Sequence, residues 1–488
     1  MKPILFKDCK FILSLPEHGG IVSGKSILVD GRYIVAMDHF DVLYHEYETL
    51  TKKADVIDCS NKIVMPGLID SHNHLCNTHM NLSRIIGLNY DDIASHMMTT
   101  VHDPYGWLTD EALYDISLAS ALNDIKQGAT TIENSTIIPE VAYEAMRKSG
   151  MRGILAPQMA TSFRLENDDL NWKEMLVRTE DLIHKYHDPD NKMSVVVHVH
   201  DLWDTLEVVM RSGLDMAEHY NTQYVTHFWE FSDAVERADK MFVQEGGALN
   251  HYLKNELITD RCVLFHGSCL TTADIDRIAE TGASIIHNPD INGTNCGNCA
   301  YIPYMIKKGI NVGLGSDYGS LDVKTAMKLM LLVHNIMPRK EKGVSADAPL
   351  RAATISGAKA YKLDHLVGSL EPNKLADIIA FDLSAAPNLL PLVTSVIEYD
   401  TSILYFLFTR NAAGMPTSET MIDGKMIRRD GKFTELNEQE IVAKAYEWCD
   451  RFIPDLMDRL SRNEHYARSI YRDFTRDDEL DLEALLSM

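Results

Sequence analysis

Short apolar runs that alternate with amphipathic helical stretches, bracketed at both ends by β-rich hairpin sequence, predict an α/β chain. The expected fold is a (β/α)8 TIM-type barrel with a discontinuous β-sandwich domain built from the N- and C-terminal segments, followed by a C-terminal helical tail. From Ile4 to about Met65 the segments are short and β-rich, and ILVDGRYIVAM offers an Asp30–Gly31 turn between two apolar runs. Beyond Pro66 the runs TTIENS, GILAP, MSVVVHVH, QYVTHF, CVLFHG, ASIIHNP and NVGLGSD read as parallel strands. Between them fall helices such as Glu111 to Gln127 and Thr272 to Thr281, the latter opened by threonine with acidic residues in its first turn. After about Val367 the pattern returns to β in ADIIAFDL and MIDGKMIRRDGKF, which resembles the early hairpin and is expected to complete the same sheet. The expected domains are therefore 1–65 with 368–436 as a composite sandwich, 66–367 as the barrel, and 437–488 as a charged helical extension.

Length and charge narrow the function. With 488 residues, 45% of them hydrophobic, the chain can bury a large core plus an accessory domain. A formal charge of −24 repels phosphate backbones and anionic lipid, so neither nucleic acid nor membrane is an expected partner. Lys7, Asp8 and Lys10 interrupt the N-terminal apolar stretch before a signal-peptide core forms, and the apolar run Ile403 to Phe408 is only strand-length. Eight cysteines are too sparse for a disulfide scaffold. A cytoplasmic protein that forms a homodimer or higher homo-oligomer is expected.

Chemistry concentrates in VMPGLIDSHNHL, where His72 and His74 stand two apart at the end of the first barrel strand. Period-two spacing aims both imidazoles the same way, and barrel sites gather where strands end. Neutral imidazole is a favoured metal ligand. Two later segments, VVVHVHDLW and YVTHFWEFSDAVE, each offer a further histidine after an apolar run. Cys296-Gly-Asn-Cys299 reads as a loop near the site, since no second cysteine pair completes a zinc site and no thioredoxin-like unit surrounds it.

PGLIDSHNHL resembles the opening motif of the amidohydrolase superfamily, and the motifs that follow are similar in order to its deaminase and chlorohydrolase branch. The resemblance implies a single site in which His72, His74, His227 and Asp317 hold one divalent metal ion per chain, zinc, with iron or manganese as alternatives. His-x-x-Glu selects His227 over His198 and His200, and makes Glu230 the proton shuttle. His198 is expected to be structural. His266 is implied to polarise substrate or water, and Asp317 to accept a proton as well as coordinate. Substrate contacts are implied at His200, Trp229, Asn288, Asp290, Asn292 and Arg164. The sequence departs from the family pattern at Ile291, Tyr318 and Asn373.

The implied reaction is water attack on an aminated N-heterocycle of purine, pterin, pyrimidine or triazine type, with loss of ammonia or an amine. Hydrolysis of a halide or thioether from an azaaromatic ring, or opening of a cyclic amide, uses the same constellation. A catalytically inactive metal-binding or oligomeric scaffold is the alternative of another class, disfavoured by Glu230 and His266, which a structural metal does not need.

Overall fold

The computed structural model describes residues 2–75, 109–159, 172–201, 205–294, 298–317, 322–337, 340, 343–385, 400 and 402–462. The N-terminal segment supplies β1 (Ile4–Lys7), β2 (Phe11–Leu13), β3 (Ile21–Val22), β4 (Lys25–Asp30), β5 (Tyr33–His39), β6 (Asp55–Asp58) and β7 (Lys62–Pro66). Barrel strands follow: β8 (Leu68–Asn73), β9 (Ala129–Thr136), β10 (Arg152–Met159), the short β11 (Met193–Val195), β12 (Val197–Asp201), β13 (Tyr224–Phe228), β14 (Cys262–His266), β15 (Ser284–His287) and β16 (Val312–Leu314). The chain then returns through β17 (Ile378–Asp382), β18 (Glu419–Ile422), β19 (Lys425–Arg429) and β20 (Lys432–Phe433).

From β8 to β16 the main strands pair in parallel, each with the next, and a parallel bridge between Asn73 and Asp317 joins the last to the first. This is the expected TIM-type barrel. Its inward positions, including Ile69, Ile154, Val196, Val225, Val263, Phe265 and Ile286, form one buried cluster closed by Tyr361, Leu363 and Val367. The outward positions Tyr224, Phe228, Leu264 and Ile285 belong to the larger cluster that includes the surrounding helices. That division is the period-two signature of a strand buried on both faces.

Of two further sheets, the one of order β5-β4-β1-β6 is built from the N-terminal segment alone, and the one of order β20-β19-β18-β17-β7-β2-β3 combines N- and C-terminal segments. β17 lies antiparallel to β7 with Ile378 opposite Pro66 and Asp382 opposite Lys62. One expectation needs correction: the hairpin around Asp30–Gly31 lies in the four-stranded sheet, whereas MIDGKMIRRDGKF forms β18 to β20 of the seven-stranded one. The two hairpins are not sheet neighbours but meet at their turns, where Arg32 Nε donates to Asp423 Oδ1 at 2.8 Å. The apolar run at 403–408, of strand length in the sequence, is helical. It lies in the helix Ser402–Asn411, whose buried Leu404, Tyr405, Leu407 and Phe408 recur at helical spacing.

Only one residue separates β7 from β8. A Cβ on Gly67 would stand 2.1 Å from Thr130 Oγ1, so this crossing needs a glycine. Close by, Arg152 at the start of β10 forms a two-pronged pair with Asp377, at 3.2 Å for each contact, with both side chains buried. Asp377 also accepts from Asp423 N at 2.7 Å, so one buried carboxylate ties the barrel floor to the β18–β19 turn. Beyond the sheets, the helix Glu438–Arg462 carries Trp448, whose Nε1 donates to Asp115 Oδ2 at 2.9 Å. The acidic stretch DDELDLEALL lies outside the described residues, and no described helix is long and apolar enough to cross a membrane.

Removing one partner of a buried ion pair strands the other charge, which costs about 3–5 kcal/mol. Arg152→Ala should therefore lower the thermal transition sharply. An unchanged melting temperature would show that the Arg152–Asp377 pair does not hold the two units together.

Candidate metal centre and active site

The C-terminal ends of β8, β13, β14 and β16 converge on one buried point. His72 and His74 come from the end of β8, with ring centroids 4.9 Å apart, and the His227 ring lies 5.0 Å from His72. The ligand-capable atoms of His72, His74 and His227 all lie within 4.8 Å of one another, as do those of His72, His266 and Asp317. Asp317 Oδ2 stands 3.6 Å from His72 Nε2 and Oδ1 3.5 Å from His74 Nε2.

The backbone at the strand ends makes this convergence possible. Phe265 is inward, so strict alternation would turn His266 outward, but its φ of +73° swings the side chain back to the centre. Trp229 and Asp317 also occupy the left-handed region, at φ of +49° and +56°. Such backbone is costly for non-glycine residues and collects at functional sites. A Cβ on Gly315 would lie 2.3 Å from Asn288 Oδ1 and 2.9 Å from the His72 backbone oxygen, so β16 can approach β8 this closely only through glycine.

Hydrogen bonds assign the rings different parts. His74 Nδ1 lies 2.9 Å from Ser135 O, and His227 Nδ1 lies 2.9 Å from His200 O. A carbonyl only accepts, so both rings carry their proton on Nδ1 and turn a lone pair at Nε2 towards the centre. His72 Nδ1 lies 3.0 Å from Glu133 Oε2, and its fully buried Nε2 has no hydrogen-bond partner among the described residues. Inward lone pairs beside a carboxylate are the donor set a divalent cation takes. His266 is arranged the other way. With the amides oriented as they stand, Asn288 Nδ2 and Asn292 Nδ2 both donate to its Nδ1, at 3.3 and 3.1 Å. The ring proton then sits on Nε2, a donor 3.5 Å from Glu230 Oε2 and 3.7 Å from Asp317 Oδ2.

Burial, reinforced by the neighbouring rings, pushes His72 and His266 well below the ordinary histidine range, which keeps them neutral. Burial likewise raises the Glu133 carboxyl well above its usual range and lifts Asp70 to about 6. Asp70 accepts from Ser316 N at 2.9 Å and from Asn73 Nδ2 at 3.1 Å, locking the end of β8 to that of β16.

His72, His74, His227, Glu230, His266 and Asp317 are thus brought together. His200 lies on β12 with its ring 4.7 Å from His227, and His198 lies fully buried with its ring 5.5 Å from His227. Asn288 and Asn292 are buried against His266. Asp290 sits on the helix Pro289–Thr294, and Trp229 packs on Phe228 and Tyr252 within the core. Arg164 and Tyr318 fall outside the described residues. Glu133 escaped the sequence reading, although a carboxylate inside the apolar run TTIENS was its signal: Ser135 Oγ holds Oε1 at 2.7 Å while Oε2 holds His72.

The model of the amidohydrolase family matches residues 63–427. The 5'-deoxyadenosine deaminase of Methanosphaera stadtmanae is 28% identical over 81% of this chain and 89% of its own. The 5-methylthioadenosine/S-adenosylhomocysteine deaminase 1 of Syntrophus aciditrophicus is 26% identical over 86% and 93%. The structure of atrazine chlorohydrolase from Arthrobacter aurescens TC1 complexed with zinc superposes with a TM-score of 0.79, covering 91% of this chain and 100% of that one at 21% identity.

Acceptors behind metal-ligand histidines typically contribute about 10–100-fold in metal affinity. Glu133→Leu, which removes the acceptor from His72 Nδ1, should weaken zinc binding by that order in a chelator competition. Unaltered affinity would show that Glu133 does not orient His72.

Proposed function

The chain belongs to the amidohydrolase family, and on that premise we propose that it is a metal-dependent deaminase of an aminated N-heterocycle, with the 6-amino group of an uncharged adenine nucleoside as first choice. The observation that carries the reading is the opposed surroundings of the rings about one point: His74 and His227 backed by carbonyl oxygens and His72 by Glu133, against His266 backed by two asparagine amides and set between two carboxylates. A purely structural metal needs only the first group. The names of the deaminase relatives support the substrate class.

In this reading His72, His74, His227 and Asp317 hold one divalent cation, zinc. When bound, such an ion supplies Lewis acidity that lets water attack at neutral pH. Asp317 takes a proton from the attacking water, and Glu230 delivers a proton to the ring nitrogen beside the electrophilic carbon. His266 donates its Nε2 hydrogen to the attacking oxygen, where negative charge develops, while Asn288 and Asn292 hold that tautomer in place. The proton collected by Asp317 then passes to the exocyclic nitrogen, the C–N bond breaks as the adduct's hydroxyl oxygen becomes the carbonyl, ammonia leaves, and the hydroxyl proton returns to Glu230. His200, Trp229, Asp290 and Arg164 complete the proposed substrate contacts.

The same reading places the enzyme in the cytoplasm as a homodimer or larger homo-oligomer; the exposed Leu206, Val208, Met241 and Val243 support an apolar contact surface. It also takes residues 1–65 and 368–436 as one composite domain, which the β7–β17 pairing supports.

Ammonia release should be measured on adenosine, 5'-deoxyadenosine, guanine, pterins and aminotriazines. Glu230→Gln should keep its metal and lose turnover by at least about a hundredfold, because glutamine preserves shape but carries no proton. Normal turnover in that variant would remove Glu230 from the mechanism, and no ammonia from any aminated ring would sink the deaminase reading.

A further inference from the structure

A second group of metal-capable side chains lies beside strand seven, apart from the centre already described. His287 ends β15, His334 belongs to the helix Val323–Ile336, and Cys299 precedes the helix Ile302–Lys307. Their ligand-capable atoms lie within 4.8 Å of one another, and all three residues are buried. His287 Nε2 faces His334 Nε2 at 3.3 Å. For ligands about 2.0–2.1 Å from a tetrahedral ion, the nitrogen–nitrogen edge is about 3.3 Å. The other ring nitrogen of His287, Nδ1, has no hydrogen-bond partner among the described residues although the side chain is fully buried. A neutral imidazole set against a second imidazole on one side, with no hydrogen-bond partner among the described residues on the other, leaves part of its hydrogen-bonding capacity unused, a cost that a bound cation offsets.

We propose that His287, Cys299 and His334 form a second, structural metal site for a borderline-soft divalent cation of the zinc type. Two imidazoles and a thiolate suit such an ion and disfavour magnesium or calcium, which take oxygen ligands. The thiol loses its proton to solvent on binding, and the fourth position goes to water or another small donor. The ion pins the helix Val323–Ile336 to the end of β15. Asn288, the next residue along, donates to His266 Nδ1, so the second site braces the loop that orients the proposed catalytic donor.

Cobalt reports both sites on the full-length chain, because thiolate coordination produces a near-ultraviolet charge-transfer band that nitrogen and carboxylate ligands do not. Protein produced with cobalt in place of zinc should hold two equivalents and show that band. Cys299→Ser should abolish the band and reduce cobalt to one equivalent, and His334→Gln should reduce cobalt likewise. The double variant His72→Asn, His74→Asn should lose the other equivalent and keep the band, which separates failure of this site from failure of the proposed catalytic centre. Wild-type protein with one equivalent and no thiolate band would overturn the proposal, leaving an N–H···N contact beside a thiol. A band that survives Cys299→Ser in folded protein, judged by its thermal transition, would overturn it equally.

Discussion

The closure of the barrel between its last and first strands is the constraint on which the rest depends. Asp317 N donates to His72 O at 2.8 Å, Asn73 and Asp317 form a bridge, and Asp70 accepts from Ser316 across the same seam. The seam is therefore built from the residues that carry the candidate chemistry. If β16 stood farther from β8, the Asp317 carboxylate would not reach the His72 and His74 rings, and the barrel would open. Gly315 allows the approach, and the left-handed backbone at Asp317 turns its carboxylate inward. Fold stability and site geometry share the same hydrogen bonds.

Within that frame the electrostatics follow from burial. Several imidazoles crowded into one buried site cannot all be charged, and His72, His198 and His266 are all held well below the ordinary histidine range. Neutral rings must then be told apart by where each proton sits, and the surrounding acceptors and donors do this. Backbone carbonyls at Ser135 and His200 fix two rings as lone-pair donors towards the centre, while paired asparagine amides fix His266 as an N–H donor. One residue type fills two chemical parts because the backbone and amides behind it differ.

At the opposite end of the barrel the organising contact is the buried Arg152–Asp377 pair, which also captures the Asp423 backbone. It joins segments separated by more than two hundred residues, at the end of the barrel away from the strand ends that carry the candidate site. Anchoring the floor apart from the site suits a fold whose chemistry gathers at the C-terminal ends of its strands.

Local sequence was enough for whatever depends on short-range periodicity and on residue types with few alternative uses. Alternating apolar runs and helices give the barrel, and His72-x-His74 and His227-x-x-Glu230 place chemistry at strand ends, because neighbours in a strand keep fixed relative directions. Contacts between distant segments were not legible. Glu133 behind His72, the amides behind His266, the separation of the two hairpins into different sheets, and the gathering of His287, Cys299 and His334 all depend on which strands lie side by side. The run at 403–408 shows the same limit: a short apolar stretch suits strand or helix, and packing chose the helix. The sequence by itself determined the strand-and-helix alternation and the identity of the chemical groups. Only the tertiary structure decided which of those groups meet and which nitrogen each ring presents, since proton placement answers to partners that lie far away along the chain.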